Sequence, residues 1–162
     1  MAVISPIAIF GLLPQGQTAP AAALMLVVAA LDVVVAVCLV PVLRPGGRLL
    51  TRYAVGLRIA YAAMLTGAAL ILLSNGDPAQ FDRYWGFALL AFGAHLMMVG
   101  VLAWRSPTMP RWLGVLVLIA GLGYLIDSTL AFITPSVFEV STVTFVGEVA
   151  LLLWLLIRAR RR

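Results

Sequence analysis

Six side chains fall where an apolar chain would not ordinarily put them. Asp32, Arg58, His95, Tyr124, Asp127 and Glu148 each interrupt a long run of hydrophobic residues. An ionisable group at the centre of a membrane helix costs at least ~2.5–3.5 kcal/mol on insertion scales, so such groups are kept for pairing, ligand binding or proton handling. Asp32 and Arg58 lie on neighbouring runs at depths about two turns apart, within reach of a long arginine stem. An ion pair holding two helices together is the plain expectation for them, and a binding role for an anionic or polar ligand is the sharper one. The carboxylates outnumber the cation, since Asp32, Asp127 and Glu148 share one arginine at bilayer depth. A carboxyl group without a partner in hydrocarbon stays neutral, so one or two of these acids are expected to be protonated or hydrated. That state serves proton-coupled transport, and it also describes a hydrogen-bonded core.

His95 could relay a proton or offer an axial nitrogen to iron. It is the only histidine in the chain, which excludes a bis-histidine haem within one copy. The simpler expectation is a hydrogen bond from His95 to Glu148 or Asp127. Tyr124 stands one turn before Asp127 on the same helical face, and with Ser128 the two form a small polar cluster. It would be helix–helix glue or the rim of an outward-facing pocket. No glycine-rich phosphate loop, HExxH, CxxC or Ser-His-Asp set appears outside the apolar runs. No catalytic residue, metal set or cofactor is therefore assigned.

The apolar runs that carry these groups set the class of protein. Of 162 residues, 64% are hydrophobic and 10% charged, with a mean hydropathy of +1.11. One small water-soluble domain could not hide that much apolar surface. All eleven basic residues are arginine, and they sit in loops and the tail rather than in a nucleic-acid-binding stripe, so the expected partner is a lipid bilayer and not nucleic acid. The single cysteine, Cys38, rules out a disulfide within the chain and reads as buried apolar filler.

About 22 helical residues cover the ~30 Å of a bilayer's hydrocarbon. The clearest such stretch runs from Arg111 to Pro135, uncharged from Trp112 to Ile126 and resuming after Asp127. Applied along the chain, the pattern predicts an all-α membrane protein. It is a bundle of five transmembrane helices at about 20–43, 53–73, 84–104, 112–134 and 140–157. Residues 1–19 form an uncharged segment at the outer interface, and 20–162 form one transmembrane domain ending in the arginine-rich tail 158–162. Pro41 is expected to kink the first span. Gly56, Ala60, Ala63 and Gly67 make a small-residue face on the second, and Gly86, Gly93 and Gly100 recur every seven residues on the third. His95 points roughly 200° away from Gly93. These glycine and alanine faces suit packing within the chain or between copies, as in a homo-oligomer.

Charge fixes the expected orientation. Arg44, Arg48 and Arg52 share one loop region, Arg105 and Arg111 another, and Arg158, Arg160, Arg161 and Arg162 form the tail. Five spans put all three on one side, with Asp77, Asp82, Arg83 and Glu139 on the other. The positive-inside rule then sets the amino terminus out and the carboxyl terminus in, as a multi-pass protein of the cell's inner (plasma) membrane.

Three stretches carry a family resemblance: LRPGGRLLTRYAVGLRIAYA, RWLGVLVLIAGLGYLIDS and GEVALLLWLLIRARR. Together they resemble a bacterial integral-membrane family of unknown function, domain of unknown function 4386, over roughly Leu24 to Arg160. Members of that family usually open with an extra span on a basic, glycine-containing stretch. By the resemblance this chain lacks that first span, and Val3 to Leu13 stands in its place. The family has no assigned chemistry, so the resemblance implies architecture and no active site. The functional expectation is a non-enzymatic helical bundle whose polar intramembrane core binds a small ligand or lipid, or which acts as an accessory partner. The alternatives are a small oligomeric proton-coupled transporter and an intramembrane enzyme.

Overall fold

The computed structural model describes residues 4–131, 144 and 146–160. Four long helices follow one another through short turns: α1 (Thr18–Leu43), α2 (Arg48–Asn75), α3 (Pro78–Arg105) and α4 (Arg111–Leu130). All four are long and apolar enough to cross a membrane. A fifth helix, α5 (Val146–Arg160), packs on α4. At 15 residues it covers about 22 Å. The end of the expected fourth span, the turn at Ser136–Glu139 and the start of the expected fifth span lie outside the described residues.

The helices run past the expected spans, because apolar length sets the stretch in hydrocarbon while local signals set the helix ends. α3 begins at Pro78, six residues before its expected span. Asp77 caps it, accepting hydrogen bonds from the amides of Ala79 and Gln80 at 3.0 and 3.4 Å, and Pro78 occupies the first turn, where its missing N–H is not needed. α2 ends at Gly76, whose φ of 64° is the left-handed conformation that glycine adopts at low cost. Pro41 lies inside α1 without interrupting it, near enough to the end that little helix follows. The segment before α1 is helical too: Ile4–Pro6, Ile7–Leu12 and Leu13–Gln15 turn successively, and the first two pack against α1, with Ala8 fully buried.

Packing is strongest between sequence neighbours, α1 on α2, α2 on α3 and α3 on α4. Large apolar side chains such as Val34, Val37, Leu70, Leu73 and Ile119 face outward, as lipid-facing positions do. Cys38 is on that outer surface of α1, which corrects its reading as buried filler.

α3 and α4 approach each other closely, and glycines permit it. A Cβ on Gly93 would meet the Gly121 carbonyl at 3.0 Å, and one on Gly121 would meet the Gly93 carbonyl at 2.9 Å. One helical level away, Gly100 and Gly114 repeat the relation at 2.9 and 2.8 Å. Both helices thus carry a glycine every seven residues on the shared face. Gly86 corrects the expected three-glycine face, because nothing approaches its Cβ position within 4 Å. The Gly56–Ala60–Ala63–Gly67 face of α2 points outward, exposed at its first three positions and half-buried at Gly67.

The three basic regions gather at one end of the bundle. Gly46, in the α1–α2 turn, lies against the backbone of Leu102 near the end of α3. Arg158 donates to the Thr108 carbonyl at 2.7 Å, tying the end of α5 to the α3–α4 turn.

The glycine contacts give a direct comparison. Gly114→Val places a branched side chain against the Gly100 carbonyl and the Trp104 backbone, an overpacking cost of about 1–3 kcal/mol. Its midpoint of thermal unfolding in detergent should fall by several degrees, while Gly56→Ala, with open space around it, should leave the midpoint unchanged or higher. Equal midpoints for the two variants would contradict close α3–α4 packing.

Candidate functional site

α2 carries Arg58 at its centre with the side chain turned inward, 6% exposed. From there the guanidinium reaches both neighbouring helices. Its Nη2 lies 2.5 Å from Asp32 Oδ1 on α1, and its Nη1 lies 3.1 Å from His95 Nε2 on α3. The other ring nitrogen of His95, Nδ1, is 2.7 Å from the backbone carbonyl of Ala54, one turn before Arg58. A carbonyl only accepts, so Nδ1 carries the proton and donates. Nε2 is then the lone-pair nitrogen, and it accepts from Arg58. The ring is thereby held in one neutral tautomer, and α3 is fastened to α2 at two points a turn apart.

This chain of Asp32, Arg58 and His95 corrects the expected partner of the histidine, which is Arg58 with Ala54 rather than Glu148 or Asp127. The reason lies in the register of α3: the residue two positions after Gly93 faces α2, whereas Glu148 is reached across α4. It also limits what His95 can do. Both ring nitrogens are engaged, so neither offers a lone pair to a metal or haem iron while the chain is intact.

An aromatic ring closes the chain on one side. Arg58 lies over the face of Phe92, 5.4 Å from the ring centroid, in cation–π contact. Phe92 also packs on Tyr61 at 4.8 Å, on His95 at 6.0 Å and edge-on to Tyr124 at 5.3 Å. Through Phe92 the ionic chain on α1–α3 meets a second polar group on α4–α5. There the Tyr124 hydroxyl and the Glu148 carboxyl are hydrogen-bonding partners, and Glu148 is within electrostatic reach of Arg58 and Asp32. Ser128 is buried beside them in sequence, one turn beyond Tyr124. Among the described residues, the buried atoms without a hydrogen-bond partner include Glu148 Oε1 and Ser128 Oγ here, and Trp85 Nε1 and Thr144 Oγ1 elsewhere. Asp127 is half-buried on the same stretch of α4 and acts electrostatically on Tyr124.

The structure therefore brings Asp32, Arg58 and His95 into direct contact. Tyr124 and Glu148 join them through Phe92, and Asp127 stands at the edge. The participants that sequence reasoning missed are Phe92, Tyr61 and the Ala54 carbonyl. Each has a signal at helical spacing: Phe92 precedes His95 by three residues, Tyr61 follows Arg58 by three, and Ala54 precedes Arg58 by four. Two surface cavities lie elsewhere, one lined in part by Arg44, Arg48 and Arg52, the other by Trp104 and Arg105.

The described residues thus form an all-helical bundle of membrane-length helices organised round a buried ionic chain. The protein belongs to the family described as domain of unknown function 4386, which it matches over residues 14–75 and 78–159, a range that includes all six polar residues. The gap between the matched segments is the Gly76–Asp77 turn. The chain is also similar to an uncharacterized protein of the archaeon Archaeoglobus fulgidus, 40% identical over 131 residues, which cover 81% of this chain and 78% of that protein. No solved structure matches.

Removing Arg58 strands Asp32 in the core and strips the acceptor Nε2 of its donor. Breaking one partner of a buried pair costs about 3–5 kcal/mol, so Arg58→Ala should lose most of its folded yield in detergent. Glu148→Gln and Asp127→Asn keep a hydrogen-bonding group in place and should stay within a few degrees of the wild-type midpoint. An Arg58→Ala protein as thermally stable as the wild type would show that the pair does not hold the helices.

Proposed function

We propose that the protein is a multi-pass integral membrane protein of the inner (plasma) membrane, with five spans, the amino terminus outside and the carboxyl terminus inside. Within that membrane it serves as a non-enzymatic bundle whose polar core receives a small ligand or lipid head group, or supports a partner protein. The topology rests on the common end of the three arginine-bearing regions, which the positive-inside rule assigns to the cytoplasm. The binding role rests on one observation above all: buried polar atoms of α4 and α5 lack hydrogen-bond partners among the described residues. Asp32, Arg58 and His95 engage one another, while Glu148 Oε1 and Ser128 Oγ are buried without partners among the described residues. A group that donates hydrogen bonds, placed against Glu148 and Ser128, would complete them. The outward small-residue face of α2 suits the approach of a second copy or of a partner helix.

Two measurements test this. For orientation, Asn75→Cys and Pro107→Cys are placed in a Cys38→Ser background and treated with a membrane-impermeant maleimide. Position 75 should label in intact cells and position 107 only after permeabilisation; the reverse pattern would overturn the orientation. For function, proteoliposomes under an imposed pH gradient should pass no more protons than empty liposomes. A proton flux present in the wild type and lost in both Glu148→Gln and Asp32→Asn would replace the binding bundle with a transporter.

A further inference from the structure

The larger cavity, about 510 Å³, is an open groove between the end of α1 and the start of α2. Its two halves differ sharply in chemistry. Arg44, Arg48 and Arg52, all exposed, form one half, and Val40, Val55 and Ile59 form the other. Arg48 and Arg52 are one turn apart on α2, so their guanidinium groups project on the same face. From Arg52 to Ile59 the helix advances about 10 Å, which carries the groove from the charged end of the bundle into its apolar length. Gly56 lies between, and nothing comes within 4 Å of its Cβ position, so the groove is open there.

The start of α2 itself supplies no counter-charge to these cations. Its first turn holds no acidic residue, and Gly47 supplies no side-chain cap. Cations at a helix amino terminus oppose the helix dipole, so an anion seated among them would relieve both the dipole and the mutual repulsion. An anion alone would use only half of the groove. We propose that this groove is a binding site for one anionic phospholipid, with its phosphate among Arg44, Arg48 and Arg52 and an acyl chain along Val40, Val55 and Ile59. Arginine pairs with phosphate in a bidentate fork, and basic pockets between helices on the cytoplasmic side take anionic head groups in this way. The site rests on the membrane-embedded reading and is separate from the Glu148 core.

The test is a lipid titration of the detergent-solubilised protein by native mass spectrometry, with phosphatidylglycerol, phosphatidylcholine and inorganic phosphate as probes. Phosphatidylglycerol should bind about tenfold or more tightly than phosphatidylcholine, and each Arg→Gln change should weaken it roughly fivefold. The combined variant R44Q/R48Q/R52Q should lose the preference. Gly56→Leu fills the apolar half and should weaken phosphatidylglycerol binding with the arginines intact, at an unchanged unfolding midpoint in phosphatidylcholine. Equal affinity of the wild type for the two lipids, or a preference that survives the combined variant, would overturn the site. Displacement of phosphatidylglycerol by millimolar phosphate would show a free-anion site in place of a lipid site. The titration is made in micelles and reads the groove alone, so its failure is distinct from a failure of the labelling or flux experiments.

Discussion

A guanidinium group in the middle of a hydrocarbon-length helix is the constraint that the rest of the bundle meets. An arginine guanidinium is not deprotonated in proteins, so the low dielectric cannot be escaped by losing a proton. It must instead be surrounded by groups that replace water. Asp32 supplies the counter-charge, His95 an acceptor nitrogen, and Phe92 the negative face of a ring. Each comes from a different element than the arginine itself, two of them from α3. The register of α1 against α2, and of α2 against α3, is fixed wherever those contacts are made. Van der Waals packing between apolar helices in lipid has no comparable preference for one register, since lipid tails are as apolar as leucine. The buried pair need not add net stability over a well-packed apolar core. What it supplies is a large penalty for the wrong arrangement.

α3 performs two tasks on opposite faces. One face presents His95 and Phe92 to α2, and the other presents Gly93 and Gly100 to Gly121 and Gly114 of α4. The two faces are coupled through the same rigid helix. A glycine contact that admits the neighbouring backbone at van der Waals distance tolerates little sliding, so the depth of His95 in the bundle is set partly by glycines that never touch it. Tyr124 is then placed by α4 one turn from Gly121, close enough to meet the edge of Phe92. Polar contacts on α2–α3 and apolar contacts on α3–α4 thus locate the same ring.

The helical class, the membrane-length runs, the Asp32–Arg58 pair and the gathering of arginines at one end were legible in the residues alone. They depend on composition, spacing and the cost of charge in oil, which are local or nearly so. The partner of His95 was not legible. Glu148 and Asp127 were reasonable candidates by depth, but the rotation of α3 about its axis decides the contact, and hydropathy carries no rotational signal for a helix that is apolar on most sides. The same gap explains Gly86. Heptad spacing places it with Gly93 and Gly100, but a helix of 3.6 residues per turn drifts about 20° per heptad, and among the described residues nothing lies within 4 Å of its Cβ position. Cys38 was misplaced for a related reason: an apolar run says that a residue is out of water, and both core and lipid satisfy that. Gly114 and Gly121 lie in the clearest apolar stretch of the sequence, at the same seven-residue spacing as Gly93 and Gly100 of α3.

The polar interior pairs its groups differently in two regions. Where α1, α2 and α3 meet, a cation, an anion and a fixed imidazole engage one another inside three well-packed helices. Where α5 joins through α4, the carboxyl of Glu148 has one neighbour in Tyr124 and a second oxygen without one among the described residues. A ligand that entered the first region would have to break interactions whose loss strands a buried charge. One that entered the second would add interactions that are missing. The same physical rule that holds the bundle together, that polar groups out of water must be paired, therefore means that a donor placed against Glu148 and Ser128 would add hydrogen bonds without breaking the ionic chain.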